Sequence, residues 1–236
     1  TSELERRCID LLHPKVLANY YGSSEIFTFT VCDHLDKKPG AAGWPGINQM
    51  IRVVRADPDG KASPDEVLAP NEIGEVIATM QSPEAFSGYW NQPDADAKAI
   101  RDGWYFTGDL GYFDDDGELF LAGRTDDMII SGGENIHPEE VEDTLADSVL
   151  VSAAAVVGLP DERWGQKVVA FIEAASEKAT AEALDAFCTE STLARFKRPR
   201  AYMFVEALPK SASGKLLRRH LRGGDYVVSP DFENTL

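Results

Sequence analysis

Hydrophobic and polar residues alternate in short stretches through the first half of the chain, a pattern that is typical of β-strands. Residues 1–20 predict a helix that leads into a short strand. Alternation over 48–55 and 74–80 predicts two further strands, and residues 112–123 predict a hairpin. Because glycine and proline turns separate many short strands, we expect this half to form a small β-barrel or a folded sheet.

The pattern changes after Arg124, where helices begin to mix with strands. A short apolar strand and a glycine pair precede a helix that should start at Pro138, since proline suits the first helical turn. Further elements are expected as strands at 151–157, 168–173 and 201–206, and as helices at 180–190 and from Leu216. Strands and helices do not alternate strictly, so the fold class expected for this half is α+β. The polar tail, 223–236, is expected to be loosely held.

Composition and charge narrow the possible functions. The 236 residues are 43% hydrophobic, which is enough apolar mass for a substantial core and excludes a wholly disordered chain. The formal net charge of −17 argues against a nucleic-acid-binding protein, because neutralising phosphates requires a basic face. No stretch of about 20 apolar residues is present, so we expect no membrane span.

The three cysteines, Cys8, Cys32 and Cys188, are widely spaced and form no C-x-x-C pair. Neither a zinc ribbon nor a disulfide framework is therefore expected, and reduced thiols in a cytoplasmic protein are the simplest interpretation. The first residues have no signal-peptide pattern and no initiating methionine. Since they read as the middle of a helix, we expect the sequence to be part of a longer chain.

Several local patterns resemble known sites but lack their spacing. The acidic run 114–118 does not match the alternating ligands of a calcium loop, so a hairpin turn is expected. The segment Ser213-Gly214-Lys215 resembles the end of a phosphate loop, but Pro209 and Leu216 occupy positions that such a loop needs for glycine and a hydroxyl residue. The histidines are scattered without metal-ligand spacing.

Four segments in a fixed order are more informative. They are Tyr-Gly-Ser-Ser-Glu (21–25), Trp-Tyr-Phe-Thr-Gly-Asp-Leu (104–110), Gly-Arg-Thr-Asp-Asp-Met-Ile-Ile-Ser-Gly-Gly (123–133) and Pro-Lys-Ser-Ala-Ser-Gly-Lys-Leu-Leu-Arg (209–218). Together they resemble the adenylate-forming superfamily, which includes acyl-CoA and aryl-CoA synthetases, peptide-synthetase adenylation domains and luciferases. The run DDMIISGGENIHPEEVE is most similar to aryl-CoA ligases of the chlorobenzoate type.

The resemblance implies a two-step reaction. A carboxylic acid attacks the α-phosphate of ATP in the presence of Mg²⁺, releasing pyrophosphate, and coenzyme A then displaces AMP from the acyl-adenylate. Residues 1–125 would form the C-terminal part of the large domain, including a distorted barrel. Residues 126–222 would form a separate, mobile α+β domain. The family's phosphate-gripping loop is expected upstream, so this chain alone should be nearly inactive.

By the same resemblance, one group of residues would bind ATP or AMP: Tyr21, Gly22, Ser24, Glu25, Asp109 and Arg124. Tyr21 would stack on adenine, Ser24 would contact a phosphate, and Glu25 would ligate Mg²⁺. Asp109 would accept hydrogen bonds from the ribose hydroxyls, which suits an acceptor-only carboxylate. The alternatives are a solvated loop for Glu25 and a surface ion pair for Asp109 with Arg124.

The resemblance also places Asp126 at the hinge between the domains, with different faces of the second domain serving the two steps. Lys215 would contact the α-phosphate during adenylation, where negative charge develops. Gly132 and Gly133 would border the channel for the pantetheine arm of coenzyme A, since glycine permits a close backbone approach. A simple strand-to-loop turn is the alternative for the glycines.

A second set of residues that would contact coenzyme A is implied less directly. By resemblance, Trp164 would contact pantetheine, Phe196 the CoA adenine, and Lys197 and Arg198 the CoA phosphates. The alternative is an amphipathic surface segment before Pro199.

The function expected is therefore an ATP-dependent acyl- or aryl-CoA ligase acting on an unidentified carboxylic acid, with a homodimer left open. A carrier-protein-linked adenylation domain is one alternative, although no carrier-like segment follows Lys215. A non-catalytic nucleotide sensor on the same scaffold is another, which the presence of both Lys215 and the glycine loop disfavours.

Overall fold

The structure, a computed structural model, describes residues 2–57, 62–212 and 214–235. For residues 2–4 it describes the backbone only. The chain divides into two compact units, Thr1–Asp126 and Asp127–Leu236. Each unit has its own sheet and its own hydrophobic core, so each is described by itself. Among the described residues, no helix combines the length and the apolar character that crossing a membrane requires.

The first unit is built mainly from short strands. Its elements are α1 (Ser2–Leu12), β1 (Asn19–Tyr21), β2 (Thr30–Cys32), β3 (Ala41–Pro45), β4 (Ile51–Val54), β5 (Gly74–Thr79), α2 (Pro93–Ala99), β6 (Ile100–Arg101), β7 (Trp104–Phe113) and β8 (Leu119–Arg124). The strands predicted over 48–55, 74–80 and 112–123 are thus confirmed as β4, β5 and the β7–β8 hairpin. Strands β4 and β5 are shorter than predicted, and the hairpin is longer because β7 begins at Trp104. Helix α2 and strands β2, β3 and β6 were not predicted.

Within the described residues, the first sheet is antiparallel and runs in the order β1-β2-β3-β8-β7-β5-β4, with β6 paired to β7. The expectation of a barrel was wrong, because this strand order is open, with β1 and β4 at its two ends. A folded sheet, the other expectation, fits better. Strand β5 is buried along its whole length, since it lies between β4 and β7 and packs into the core around Phe29 and Tyr105.

The second unit mixes strands and helices, as predicted. Its elements are a 3₁₀ turn that begins at Thr125 in the first unit (Thr125–Asp127), β9 (Ile129–Ser131), β10 (Glu134–Ile136), α3 (Pro138–Ala146), β11 (Val151–Asp161), β12 (Gly165–Ala174), α4 (Ala181–Glu190), β13 (Ala201–Phe204) and α5 (Arg218–Gly223). The sheet order is β10-β9-β12-β11, and β13 pairs with β12 in the parallel sense. Strand β10 was not predicted.

Local sequence explains where the helices of the second unit begin. Pro138 is at the first turn of α3, and Glu139 and Glu140 lie where the positive end of the helix dipole favours acidic side chains. Helix α4 is capped by Thr180, whose hydroxyl accepts a hydrogen bond from the amide of Ala183 at 3.1 Å. Both helices therefore start where the sequence predicted.

The C-terminal segment is not loosely held, contrary to the sequence-based expectation. Ser229 and Thr235 donate their backbone amides to the carbonyls of Phe204 and Tyr202 on β13, at 2.9 and 3.1 Å. The ring of Phe232 stacks on Phe204 with centroids 4.9 Å apart. The segment is polar in composition, but its backbone groups find partners on an otherwise open edge strand.

Candidate functional site

The segment Tyr21–Glu25 forms a tight turn directly after β1. The Ser23 hydroxyl accepts hydrogen bonds from the amides of Glu25 and Ile26, which closes the turn. A Cβ at Gly22 would lie 1.8 Å from the carbonyl oxygen of Phe27, so glycine is needed for this close approach. The turn leaves Ser24 exposed and Glu25 half-buried.

The segment Thr107-Gly108-Asp109 bends β7 at its middle. The Thr107 hydroxyl donates to the carbonyl of Val76 on β5 at 2.8 Å and accepts from the amide of Asp109 at 3.0 Å. Gly108 has a φ of +72°, a left-handed conformation that favours glycine. This local geometry sets the position of the Asp109 carboxylate.

Asp109 brings together residues from three separate motifs. Its Oδ2 accepts a hydrogen bond from the Tyr21 hydroxyl at 2.6 Å, and its Oδ1 pairs with the Arg124 guanidinium at 2.8 Å. Asp109 and Arg124 are also direct register partners on β7 and β8. Burial, reinforced by the charge of Asp109, raises the pKa of Tyr21 well above its ordinary value, so Tyr21 remains a donor at neutral pH. Its ring lies 4.8 Å from that of Phe29.

Glu25 has a partner that the sequence did not suggest. The Tyr89 hydroxyl donates to Glu25 Oε1 at 2.7 Å. Burial favours the neutral acid, but hydrogen bonds led by that from Tyr89 outweigh it, and the pKa of Glu25 lies below its ordinary value. Glu25 is therefore a carboxylate held in place at neutral pH, the form that a magnesium ligand requires.

Glu75 is a second residue that sequence reasoning missed. It is 6% exposed on β5, and its carboxylate accepts the amide of Gly108 at 3.1 Å. Burial raises the pKa of Glu75, and the neighbouring charges of Asp109 and Asp126 raise it further. Its position supports the bend that carries Asp109, but nothing in its local sequence distinguishes it from any acidic residue in a strand.

Lys215 lies in a tight turn of the second unit. Its amide donates to the Ser211 hydroxyl at 3.1 Å, its carbonyl accepts the Ser211 amide at 2.8 Å, and Lys210 pairs with Leu216 across the turn. The Lys215 side chain is exposed. The backbone is thus well fixed under a cation that faces solvent. Ser213, part of the same motif, lies outside the described residues.

Gly132 and Gly133 form the turn between β9 and β10. Both are left-handed, with φ of +62° and +89°. The amide of Gly132 donates to the carbonyl of Trp164 at 2.8 Å, and a Cβ on Gly132 would meet the Trp164 ring at 3.0 Å. The structure therefore places Trp164 directly against the glycine loop.

Two arginines that were not predicted as site residues flank Trp164. The Arg200 guanidinium lies 4.1 Å from the Trp164 ring, and that of Arg163 lies 4.7 Å from it. Arg200 also borders a cavity of about 590 Å³ that Arg195 and Arg198 line. An aromatic ring beside several guanidinium groups is a surface suited to an anionic ligand with an apolar arm.

Lys197 and Arg198, which were predicted to bind the CoA phosphates, have partners within the protein. Lys197 pairs with Glu140 of α3, and Arg198 hydrogen-bonds the Thr189 hydroxyl at 3.1 Å as well as nearby carbonyls. Phe196 is 40% exposed, with Lys197 above its ring at 5.7 Å. Arg198 therefore closes the segment after α4, and a phosphate would have to share its guanidinium.

Asp126 is exposed and is the last residue of the first unit. The next residue, Asp127, is firmly bound within the second unit, because its carboxylate pairs with Arg218 at 3.2 Å and with Arg222. Arg218 is also bonded to Glu142 at 2.7 Å. The boundary between the two units thus follows directly on a residue that is tied by ion pairs into the second unit.

Comparison with known proteins bears on the family and the fold of the chain. Residues 140–215 match the model of the AMP-binding enzyme C-terminal domain. A 4-chlorobenzoate–CoA ligase of Arthrobacter sp is 49% identical over 206 residues, covering 87% of this chain and 38% of that enzyme. This chain belongs to the adenylate-forming, AMP-binding enzyme family. A long-chain-fatty-acid–CoA ligase of Bacillus subtilis (strain 168) is 41% identical over 210 residues, covering 87% of this chain and 36% of that enzyme.

A solved family structure shows the same fold. The o-succinylbenzoate coenzyme A synthetase of Bacillus subtilis, in complex with ATP and a magnesium ion, superposes with a TM-score of 0.77 at 32% identity, covering 93% of this chain and 43% of that one. The chain thus spans about two fifths of the length of the family members it matches. The resemblance read from the four motifs is confirmed.

Proposed function

We propose that this chain forms part of an ATP-dependent acyl- or aryl-CoA ligase, which joins a carboxylic acid to coenzyme A through an acyl-adenylate. The observation that carries the proposal is the meeting of Tyr21, Asp109 and Arg124, because residues far apart in sequence converge on one carboxylate. A surface ion pair alone does not require the partly buried tyrosine hydroxyl or the glycine bend beside Asp109.

In this proposal Asp109 accepts hydrogen bonds from the ribose hydroxyls of the nucleotide. An ionised carboxylate has about four acceptor positions, so it can accept ribose donors while it is held by Tyr21 and Arg124. Tyr21 and Gly22 also border a cavity of about 340 Å³ in the first unit. Tyr21 would support the adenine, Ser24 would bind a phosphate with its exposed hydroxyl, and Arg124 would contact the ribose or phosphate.

Glu25 fits a magnesium ligand, since it is ionised, half-buried and oriented by Tyr89. When bound, the ion would neutralise phosphate charge during adenylation. The contribution of this chain is to hold the Glu25 carboxylate in one orientation at the end of the turn.

Two exposed turns of the second unit would then act in different steps. Lys215 would donate to the α-phosphate of ATP during adenylation, stabilising the charge that develops in the transition state. Gly132, Gly133 and Trp164 would line the path of pantetheine during thioester formation, with Phe196, Lys197 and Arg198 at the CoA nucleotide. Residues 126–222 would be the mobile domain and Asp126 its hinge, with residues 1–125 belonging to the large domain.

The test uses the protein that contains this chain at its natural length. Purified enzyme is incubated with Mg-ATP, labelled pyrophosphate and a panel of aryl, short-chain and long-chain acids. We expect acid-dependent exchange of pyrophosphate into ATP, and a CoA thioester once CoA is added. Asp109→Asn should reduce exchange, whereas Asp102→Asn, an exposed position in the turn before β7, should not.

The alternatives give different results in the same assay. Exchange without thioester formation from CoA would indicate an adenylation domain that serves a carrier protein. Nucleotide binding without exchange for any acid would indicate a nucleotide sensor. Equal exchange by the Asp109→Asn and Asp102→Asn variants would refute the role proposed for Asp109.

A further inference from the structure

A cysteine, a histidine and a glutamate lie close together in the first unit. The ligase proposal gives none of them a role. Cys32 ends β2, His34 follows two residues later, and Glu118 immediately precedes β8. The Cys32 sulfur lies 3.8 and 3.9 Å from the two ring nitrogens of His34, and His34 Nε2 lies 3.0 Å from Glu118 Oε2. One possible ligand atom from each residue falls within 4.8 Å of the others.

These side chains meet because of the sheet order. Strand β3 lies between β2 and β8, and it carries the small residues Ala41, Ala42 and Gly43 at this point. Gly43 has a φ of +93°, and a Cβ there would lie 2.0 Å from the Val31 carbonyl oxygen. With so little side-chain volume on β3, groups from the two flanking strands can approach each other.

The cluster is protected from solvent but keeps an opening. Cys32 is fully buried, and the side chain of Glu118 is 3% exposed. The side chain of His34 is 18% exposed, with the Trp44 ring 4.7 Å from it. Water can therefore reach the imidazole, while the thiol and the carboxylate are held inside.

The charge around the cluster is unbalanced. Lys38 pairs with Asp114, with Asp116 and with Glu118 Oε1, which leaves Glu118 Oε2 toward His34. Asp33 hydrogen-bonds the other ring nitrogen of His34 at 3.1 Å. With a neutral imidazole, one positive charge thus faces four carboxylates, Asp33, Asp114, Asp116 and Glu118, a formal excess of three negative charges. Asp33 and Asp116 are exposed to solvent, whereas the Asp114 and Glu118 side chains are only 16% and 3% exposed, so the costly buried charge is theirs. With Lys38 beside them they leave one negative charge in excess, which favours a further cation here.

We propose that Cys32, His34 and Glu118 bind a divalent transition-metal ion of the zinc type, with water as the fourth ligand. Metal–ligand bonds of about 2.0–2.3 Å in a tetrahedron separate the ligand atoms by roughly 3.3–3.6 Å. The observed 3.0 Å between His34 and Glu118 and 3.9 Å between Cys32 and His34 bracket that range. A ligand set of sulfur, nitrogen and oxygen selects zinc or a similar ion over magnesium or calcium.

The surrounding contacts suit this occupant. Asp33 holds the second ring nitrogen of His34, the arrangement that orients histidine ligands in many metal sites, and Lys38 holds the second oxygen of Glu118. On binding, the Cys32 thiol forms a sulfur–metal bond and releases its proton to solvent. The ion would link β2 to β8 at the turn end of the β7–β8 hairpin, while Asp109 and Arg124 pair at the opposite end. Its role is therefore structural and independent of the ligase proposal.

The sequence had suggested no such site. Cys32 and His34 lack the paired spacing of a zinc motif, and Glu118 is far from them along the chain, next to an acidic turn. The sheet order brings together residues that no sequence spacing connects.

Cobalt(II) is the probe that tests the proposal, because its spectrum reports a thiolate ligand and a tetrahedral site directly. The reduced chain is titrated with Co²⁺, and we expect one equivalent to give thiolate-to-metal charge-transfer and tetrahedral visible bands that Zn²⁺ abolishes. Cys32→Ser should lose the charge-transfer band, and Cys8→Ser and Cys188→Ser should retain it. His34→Gln and Glu118→Gln should weaken Co²⁺ binding by more than about tenfold, because each removes a ligand, and disturbing only a ligand's supporting partner already costs about 10–100-fold.

Zinc-dependent thermal stability provides the second readout. Zn²⁺ should raise the melting temperature of the native chain and of Cys188→Ser, with a smaller rise or none in His34→Gln. If Cys32→Ser does not fold, the His34 and Glu118 variants decide the question by the same spectra. Absence of a cobalt–thiolate band in the native chain, or a band lost in Cys8→Ser but kept in Cys32→Ser, would overturn the proposal.

Discussion

The two units present their candidate functional groups in opposite ways. In the first unit, Asp109 lies within a strand, and Tyr21 and Arg124 bind its two carboxylate oxygens at 2.6 and 2.8 Å. In the second unit, Lys215 and the glycine pair occupy exposed turns between short backbone pairings. The first set is a pre-formed polar network, and the second is a pair of solvent-facing turns, each closed by a short backbone pairing.

This difference bears on how substitutions should act. Groups inside a hydrogen-bonded network support each other, so changing one disturbs structure and ligand binding together. Groups at exposed turns contribute little to stability, so their loss should appear in one reaction step. The second unit nevertheless has a partly buried anchor that follows the Lys215 turn in sequence, the ion pairs of Arg218 with Asp127, Glu139 and Glu142.

The largest effect is expected at that anchor. Arg218 is paired with Asp127, Glu139 and Glu142, and burial raises the pKa of both glutamates despite the arginine. Arg218→Met should lower the free energy of unfolding by about 3 kcal/mol, because it leaves the partly buried carboxylates of Glu139 and Glu142 without their cation, while Arg222 still pairs with Asp127. Urea denaturation measures the change. Arg219→Met, at the exposed neighbouring position, should change it by less than about 0.5 kcal/mol.

Lys215 should show the clearest separation of activity from stability. Lys215→Ala should reduce pyrophosphate exchange by about 10²–10³-fold, the scale for losing one preorganised electrostatic donor. Thioester formation from supplied acyl-adenylate should be nearly unchanged, as should the unfolding midpoint. Lys210→Ala, across the same turn, is the matched control. Equal loss of both half-reactions in Lys215→Ala would contradict the assignment of separate faces to separate steps.

Tyr89 offers a weaker test of the network in the first unit. Its hydroxyl donates to Glu25 at 2.7 Å, so Tyr89→Phe should leave that carboxylate less well oriented. We expect the Mg²⁺ concentration for half-maximal exchange to rise about tenfold, since a hydrogen bond to a charged group contributes roughly 1.5–3 kcal/mol. Saturating Mg²⁺ should restore most of the rate. Tyr112→Phe, whose ring stacks on Phe120, is the control, and an equal Mg²⁺ requirement in the two variants would exclude this role.

The smallest effect is expected at the glycine loop, where two neighbours can be compared. Alanine at either Gly132 or Gly133 must adopt a left-handed conformation, at a cost of about 1–2 kcal/mol. At Gly132 the new Cβ also meets the Trp164 ring at 3.0 Å, whereas at Gly133 no atom lies within 4 Å. Gly132→Ala should therefore raise the KM for CoA several-fold more than Gly133→Ala. A larger rise in Gly133→Ala would argue against packing of Trp164 as the cause.

Much of the fold and part of the site could be predicted from local patterns. Alternation predicted β4, β5 and the β7–β8 hairpin, the proline signal predicted where α3 begins, and a helix was expected over 180–190, where α4 lies. The expectation of a barrel was wrong, because closure of a sheet depends on which strands pair, and local alternation does not encode that pairing. The expectation of a loosely held C-terminal segment was wrong, because polar composition does not reveal that β13 offers the segment unpaired backbone groups.

The sequence by itself determined the family, the order of the motifs and the residue types that the chemistry needs. A carboxylate, a lysine and paired glycines are recognisable in order along the chain, because their roles depend on side-chain chemistry and backbone freedom. Only the tertiary structure decided which groups touch. It brought Tyr89 to Glu25, Arg200 to Trp164, and Cys32 with His34 to Glu118. Such contacts arise from strand order and register, which join residues that no local pattern connects.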